Sequence, residues 1–258
     1  MLKIQGKTVL FFSLFTFYFS LFTVSYAAHP LVTDDTGTQG KGGVQLELNS
    51  EFAHEDEEGA TEDAFEFASV LSYGIADTVD IVLGIPYQHI SLKEDGQKDT
   101  EDGLSDISLE LKWRFYEKDG LSFALKPGLT LPTGDDEKGL GAGKVTYSAF
   151  FIATKELEPW AFHLNLGYIR NENKADERKN LWHASLAGSV EAIKDLSLVA
   201  NIGIEQNADR NVNTHPAFIL GGLIYSVSEH VDIDFGVKAG LNEPETDYAI
   251  LAGLAWRF

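Results

Sequence analysis

The sequence predicts an all-β fold, a transmembrane antiparallel up-and-down β-barrel of about 12 strands. Three observations predict it. An apolar leader opens the chain, polar and apolar residues alternate along extended segments after it, and short and long connections between those segments take turns.

In the leader, Lys3 and Lys7 precede an apolar, aromatic-rich run from Val9 to Val24, and Ser25-Tyr26-Ala27-Ala28 follows with small residues where a signal peptidase reads. This predicts a signal peptide over 1–27, cut after Ala27, and export through the Sec pathway. A retained helix would be short for a span of about 20 residues. Losing Lys3 and Lys7 takes the net charge from −20 to −22. Such a chain repels phosphate backbones, which excludes nucleic acid as a partner. The absence of cysteine excludes disulfides, thiolate metal sites and a cysteine nucleophile.

Residues 28–42 are expected to form a periplasmic lead-in, with Asp34 and Asp35 as solvated turn formers. Gly37-Thr-Gln-Gly-Lys41 lacks the spacing of a phosphate loop, and no helix is expected after it.

The barrel is expected over 43–258. Its clearest strand puts Ile107, Leu109, Leu111, Trp113 and Phe115 on one face and Ser108, Glu110, Lys112 and Arg114 on the other. The same period of two runs from Val79 to Gln88, Phe162 to Tyr168, Leu196 to Glu205, Val231 to Lys238 and Tyr248 to Phe258. Strands are expected near 43–53, 63–74, 78–91, 104–116, 120–131, 143–155, 158–170, 180–191, 194–205, 214–227, 230–241 and 246–258. Those near 63–74, 180–191 and 214–227 alternate less cleanly. Most are long enough for a tilted strand that crosses a bilayer, and aromatics such as Tyr87, Trp113, Trp160 and Trp256 near strand ends suit interfacial girdles.

Long polar stretches at 54–62, 92–103, 132–142, 171–179, 206–213 and 242–245 take turns with short connections. Short periplasmic turns and longer external loops, with an even strand count, place both termini in the periplasm. The acidic stretch from His54 to Asp63 is expected to attract divalent cations weakly and in a salt-sensitive way.

The polar faces hold the candidate lumen-lining residues: Asp80, Glu110, Lys112, Arg114, Lys126, His163, Asp232, Asp234, Lys238 and Arg257, with Glu47 on the same parity. Such charges are tolerated in a wet lumen, where they set selectivity. Asp80 is expected to face Arg114, and Asp232 to face Arg257. Two readings follow, a polar channel or a network that plugs the barrel, since 12 strands lie between the filled eight-strand barrels and the open 16-strand ones. No catalytic residue, cofactor or metal site is expected. His163 with Asn165, and His183 with Ser185, share faces and read as polar lining, and no His-x-His or His-x₃-His cluster occurs.

Two features resemble known proteins. The segment from Tyr248 to the terminal Phe258 resembles the last strand that the barrel assembly machinery reads in bacterial outer-membrane proteins. The stretch from His29 to Gly43, with Tyr73-Gly-Ile-Ala-Asp77, Gly84-Ile-Pro-Tyr87, Gly103-Leu-Ser-Asp106, Lys126-Pro-Gly-Leu-Thr-Leu-Pro-Thr-Gly134 and Gly139-Leu-Gly-Ala-Gly143, resembles the family called "putative MetA-pathway of phenol degradation". The resemblance spans essentially the whole mature chain. It implies an outer-membrane barrel of transporter type with a link to aromatic compounds, and it carries over no functional residues.

The expected function is therefore an outer-membrane pore or uptake channel for small molecules, with aromatic or apolar compounds as the solute class. The alternative is a non-transport barrel, structural or enzymatic, with a plugged lumen. The expected setting is the outer membrane of a Gram-negative bacterium, in contact with lipid and lipopolysaccharide.

Overall fold

The computed structural model describes residues 29–57, 59–94 and 96–258. The expected signal peptide lies outside them. The described chain forms β1 (Val44–Glu57), β2 (Ala60–Ala76), β3 (Val79–Glu94), β4 (Gln97–Leu104), β5 (Ile107–Lys118), β6 (Leu121–Leu131), β7 (Thr146–Leu157), β8 (Trp160–Arg170), β9 (Asn180–Ile193), β10 (Leu196–Glu205), β11 (Ala217–Ser228), β12 (Val231–Gly240) and β13 (Tyr248–Arg257), plus one 3₁₀ turn at Asp136–Lys138.

Each strand pairs antiparallel with its neighbours, β13 pairs with β1, and the β2–β3 ladder completes the ring. β4 and β5 together occupy one position, since β3 pairs with β5 along its first half and with β4 along its second. The result is a closed barrel of 12 strand positions, in which β4 pairs with β3 alone.

The expected strand at 104–116 is thus interrupted, at Ser105-Asp106. The reason is local. The two carboxylate oxygens of Asp106 accept from the N–H groups of Gly134 and Ala142, each at 2.8 Å. Ser105 Oγ donates to the Leu140 carbonyl at 2.7 Å. This corner anchors the connection between β6 and β7.

The stretches 54–62 and 92–103, expected as loops, instead continue the ladder: β1 and β2 pair to Glu57↔Ala60, and β3 and β4 to Glu94↔Gln97. Backbone pairing needs no apolar side chains, so a polar sequence can prolong a hairpin beyond the bilayer. The outward side chains there are polar, including His54, Asp56 and Lys93.

Five connections on one rim are two residues long, at 77–78, 119–120, 158–159, 194–195 and 229–230. The opposite rim carries the longer connections 132–145, 171–179, 206–216 and 241–247. Successive loops of this rim bond one another: Arg178 donates to the carbonyls of Asp209, Arg210 and Val212, each at 3.1 Å. Lys174 pairs with Asp136 at 2.9 Å.

The burial pattern is inverted relative to a soluble protein. Leu109, Leu111, Leu164, Leu198, Ile202 and Phe235 are exposed on the outside, while Glu110, Lys112, Lys126, Asn165 and Asn201 are buried. An outer belt of this kind belongs in hydrocarbon. Tyr73, Trp113, Trp160 and Trp256 edge it near the short turns, and Phe65, Tyr87, Tyr168 and Tyr248 near the opposite rim.

The inner wall is only partly polar. Val70 from β2, Leu181 from β9, and Phe218 and Leu220 from β11 point inward and are buried. These inward apolar side chains weaken the alternation of those three strands. Two inward aromatics lie over glycines of the adjacent strand: Phe150 is the register partner of Gly167, and Phe218 that of Gly203. A Cβ on either glycine would sit inside the facing ring's van der Waals envelope.

Candidate functional site: the filled lumen

Residues 29–42, expected as a lead-in to the first strand, lie inside the barrel. They form an arch that rises from the rim of the short turns, turns at Asp34 and descends to the same rim. On the way up, His29 Nδ1 bonds the Asp234 carboxylate. Asn201 Oδ1 accepts from the N–H groups of Val32 and Thr33 at 2.8 and 2.9 Å, and its Nδ2 donates to Thr33 Oγ1 at 2.7 Å. On the way down, the Thr36 N–H donates to Thr154 Oγ1 at 3.1 Å and the Gln39 N–H to Asp80 Oδ2 at 2.9 Å. Gly42 N–H finally donates to the Gly74 carbonyl at 2.8 Å. Strands on every side of the barrel thus supply polar partners to one extended segment.

At the apex, Asp34 is clamped by two ammonium groups. Lys112 Nζ donates to its Oδ1 at 2.9 Å and Lys126 Nζ to its Oδ2 at 3.1 Å. Lys126 also pairs with Glu110 at 3.0 Å, and Lys112 lies 3.5 Å from Asp35. The expectation that Asp34 is a solvated turn former is thereby corrected. A carboxylate out of water needs paired charges, and the lysines of β5 and β6 provide them.

The sequence-predicted residues fall into three groups. Asp80, Glu110, Lys112, Lys126 and His163 surround the arch, with His163 Nδ1 3.0 Å from Thr154 Oγ1. Asp232, Asp234 and Arg257 lie near the rim of the short turns, where Arg257 Nη2 donates to Asp232 at 2.6 Å. Lys238 stands apart towards the opposite rim, bridging Glu51 at 3.2 Å and Glu245 at 3.4 Å.

The expected Asp80–Arg114 pair is not formed. The register puts Lys112 opposite Asp80, and Arg114 pairs with Glu117 at 3.2 Å on its own strand. The sequence estimate of strand ends was too coarse by two residues to choose between the two cations.

His183 and Ser185, expected as polar lining on one face, form a chain with Glu205: Nε2 lies 2.9 Å from Ser185 Oγ and Nδ1 3.2 Å from Glu205. It lies in the continuous ladder of β8, β9 and β10. Backbone N–H groups there serve the sheet rather than an oxyanion, so the chain satisfies buried polar atoms.

The middle of the lumen is closely packed. Lys126, Ile152, Asn165, Leu220 and Val70, from five strands, are each less than 2% exposed. The arch, the inward apolar side chains and the charged clamp together fill the section.

Solved barrels share this architecture. The chain is similar to the COG4313 outer membrane channel from Pseudomonas putida F1, at 14% identity and a TM-score of 0.68, with 87% of this chain and 98% of that one covered. It is similar to the KdgM porin in complex with disordered oligogalacturonate, at 7% identity and a TM-score of 0.58, covering 83% and 99%. The translocator domain of autotransporter NalP from Neisseria meningitidis gives 11% and 0.52, covering 86% and 91%. At these identities the likeness concerns the fold. No curated protein matches the chain. The family model described as "Putative MetA-pathway of phenol degradation" matches residues 27–258, and the chain belongs to that family.

Proposed function

We propose that the protein is an outer-membrane channel for small molecules, with aromatic or otherwise apolar compounds as solutes, and that residues 29–42 close it at rest. The carrying observation is the arch that fills the lumen yet enters and leaves by one rim, so that it can withdraw without unthreading. The inner wall behind it offers apolar surface at Phe150, Ile152, Phe218, Leu220 and Leu251 beside the charged clamp. Family membership and the channel-like architecture support the reading.

The same reading places the chain in the outer membrane of a Gram-negative bacterium, exported by the Sec pathway and inserted by the barrel assembly machinery through Tyr248–Phe258. The short turns and both termini face the periplasm, and lipid with lipopolysaccharide surrounds the belt. No reaction is assigned.

A second reading, a non-transport barrel, is favoured by the filled lumen. Single-channel recording on refolded mature protein, with and without residues 29–42, separates the two. Conductance that rises when the arch is deleted supports the channel. Silence in both proteins, with the barrel folded by heat-modifiable gel mobility, supports the second reading.

A further inference from the structure

We propose that Lys112 and Lys126 form a carboxylate-binding site in the lumen, occupied by the chain's own Asp34 when the arch is in place and by a small carboxylate with an apolar body when it withdraws. The inference rests on the channel reading above and adds a solute class to it.

The geometry is that of a ligand site. One carboxylate presents its two oxygens to two separate ammonium groups, at 2.9 and 3.1 Å. Both lysines belong to the wall, on neighbouring strands, and stay when the arch leaves. Asp34 and Asp35 leave together, removing two negative charges from the neighbourhood of Lys112.

The charges that remain are Glu110, which pairs with Lys126 at 3.0 Å, and Asp80, opposite Lys112 in the register. Glu110 and Asp80 only partly replace the departing aspartates, because Lys112 loses the two carboxylates that lie within 4 Å of it. Lys112, left without a carboxylate in contact and next to Lys126, attracts an anion that can bond both ammonium groups.

The hydroxyls of Ser122 and Thr154 and the amide of Asn201 now bond the arch, and they become donors to whatever replaces it. The body of the ligand is set by the neighbour on the other side: Phe150 of β7 is the register partner of Lys126, with Ile152 two residues on. An ammonium pair against an aromatic wall suits an aryl carboxylate better than a sugar or an inorganic ion.

The test uses benzoate as the probe, with benzyl alcohol as its uncharged counterpart, on refolded mature Asp34→Ala. Calorimetry should show benzoate binding at least about tenfold tighter than benzyl alcohol, and Lys112→Gln with Lys126→Gln in that background should remove the difference. In planar bilayers benzoate should reduce the chloride current of Asp34→Ala while benzyl alcohol does not. On the wild-type protein, benzoate but not benzyl alcohol should speed proteolysis within residues 29–42. This arm stands even if Asp34→Ala fails to fold.

Equal binding of the two probes, or benzoate binding that survives loss of both lysines, overturns the site. So does wild-type proteolysis that benzoate leaves unchanged. Benzoate binding without any current keeps the site and removes the channel reading. Current that benzoate does not touch keeps the channel and removes the site.

Discussion

Asp34 and Lys126 meet in the middle of the barrel, Oδ2 to Nζ at 3.1 Å, with both side chains 1% exposed. Lys126 holds Glu110 as well, so it balances two buried carboxylates. Removing one partner of a buried pair costs about 3–5 kcal/mol, since the other charge stays desolvated. Lys126→Met should therefore lower stability by about that amount in urea titrations of the micellar protein. Adding Asp34→Asn should return part of the loss, because it removes one of the two stranded charges. Single-mutant effects that simply add would show that the two side chains do not interact energetically.

The inward ring–glycine pairs give a second test. A methyl at Gly167 meets the ring of Phe150, and one at Gly203 meets that of Phe218. Overpacking of a filled interior costs about 1–3 kcal/mol, so Gly167→Ala and Gly203→Ala should each destabilise the barrel by that much. Gly221, on the outer face of β11, has no atom near its absent Cβ. Gly221→Ala should be neutral or slightly stabilising, by up to about 1 kcal/mol. Equal unfolding midpoints for Gly167→Ala and Gly221→Ala would contradict this account of the inner wall.

The barrel was legible because lipid enforces it. Outward positions of Ile107–Lys118 or Val231–Gly240 must be apolar, inward ones are freer, and a period of two results. Legibility failed where that asymmetry is absent. β11 carries Phe218 and Leu220 inward and Ile219 and Leu223 outward, so periodicity cannot tell its faces apart. Residues 29–42 fail for another reason. Rich in Gly, Thr and Asp, they read as a solvated lead-in, because composition cannot reveal that Lys112, Lys126, Asn201 and Thr154 wait on distant strands. The lumen cations themselves could be read from parity. Their partners could not, since pairing Asp80 with Arg114 or Lys112 turns on two residues of register.

Arg257 and Arg114 should differ in their effect on ion preference. Arg257 bonds Asp232 at 2.6 Å and Gln45 at 3.0 Å near the rim, while the partner of Arg114, Glu117, is well exposed. The Arg114–Glu117 pair is exposed at its acid and contributes about 0–1 kcal/mol, and Arg257 lies at the rim, so neither Arg→Ala change should unfold the barrel. Arg257→Ala leaves Asp232 uncompensated and should shift reversal potentials in a KCl gradient towards cation preference. Arg114→Ala should do so less, because water already screens Glu117. Identical potentials in wild type and Arg257→Ala would place Arg257 off the ion path.

Sidedness follows from connection length. If the two-residue turns face the periplasm, tags inserted after Gly59, Gly96, Asp136 or Asp209 should be accessible to antibody on intact cells. Tags after Asp119 or Glu229 should become accessible only once the outer membrane is permeabilised. Labelling at Asp119 on intact cells would invert the orientation.

The outer end of the β1–β2 hairpin should respond to pH. Glu55 and Glu62 are register partners beyond Phe52 and Phe65, where the apolar belt ends. Burial, reinforced by Glu57 and Asp247 beside Glu55 and by Asp63 beside Glu62, pushes Glu55 up to about 7 and Glu62 up to about 8 from an ordinary 4.5. Between 4.5 and about 8 the folded hairpin therefore holds protons that the opened one releases. Stability from this pair is then fully present below the ordinary carboxylate pKa and is lost as pH rises through 7 to 8. Backbone amides of β1 and β2 beyond Phe52 and Phe65 should thus be better protected at acid than at alkaline pH, once intrinsic exchange rates are corrected. Glu62→Gln, which mimics the protonated form, should flatten the dependence and raise protection on the alkaline side. Protection that increases with pH in the wild type, or a Glu62→Gln profile that still falls through pH 7 to 8, would show that these two carboxyls do not share a desolvated site.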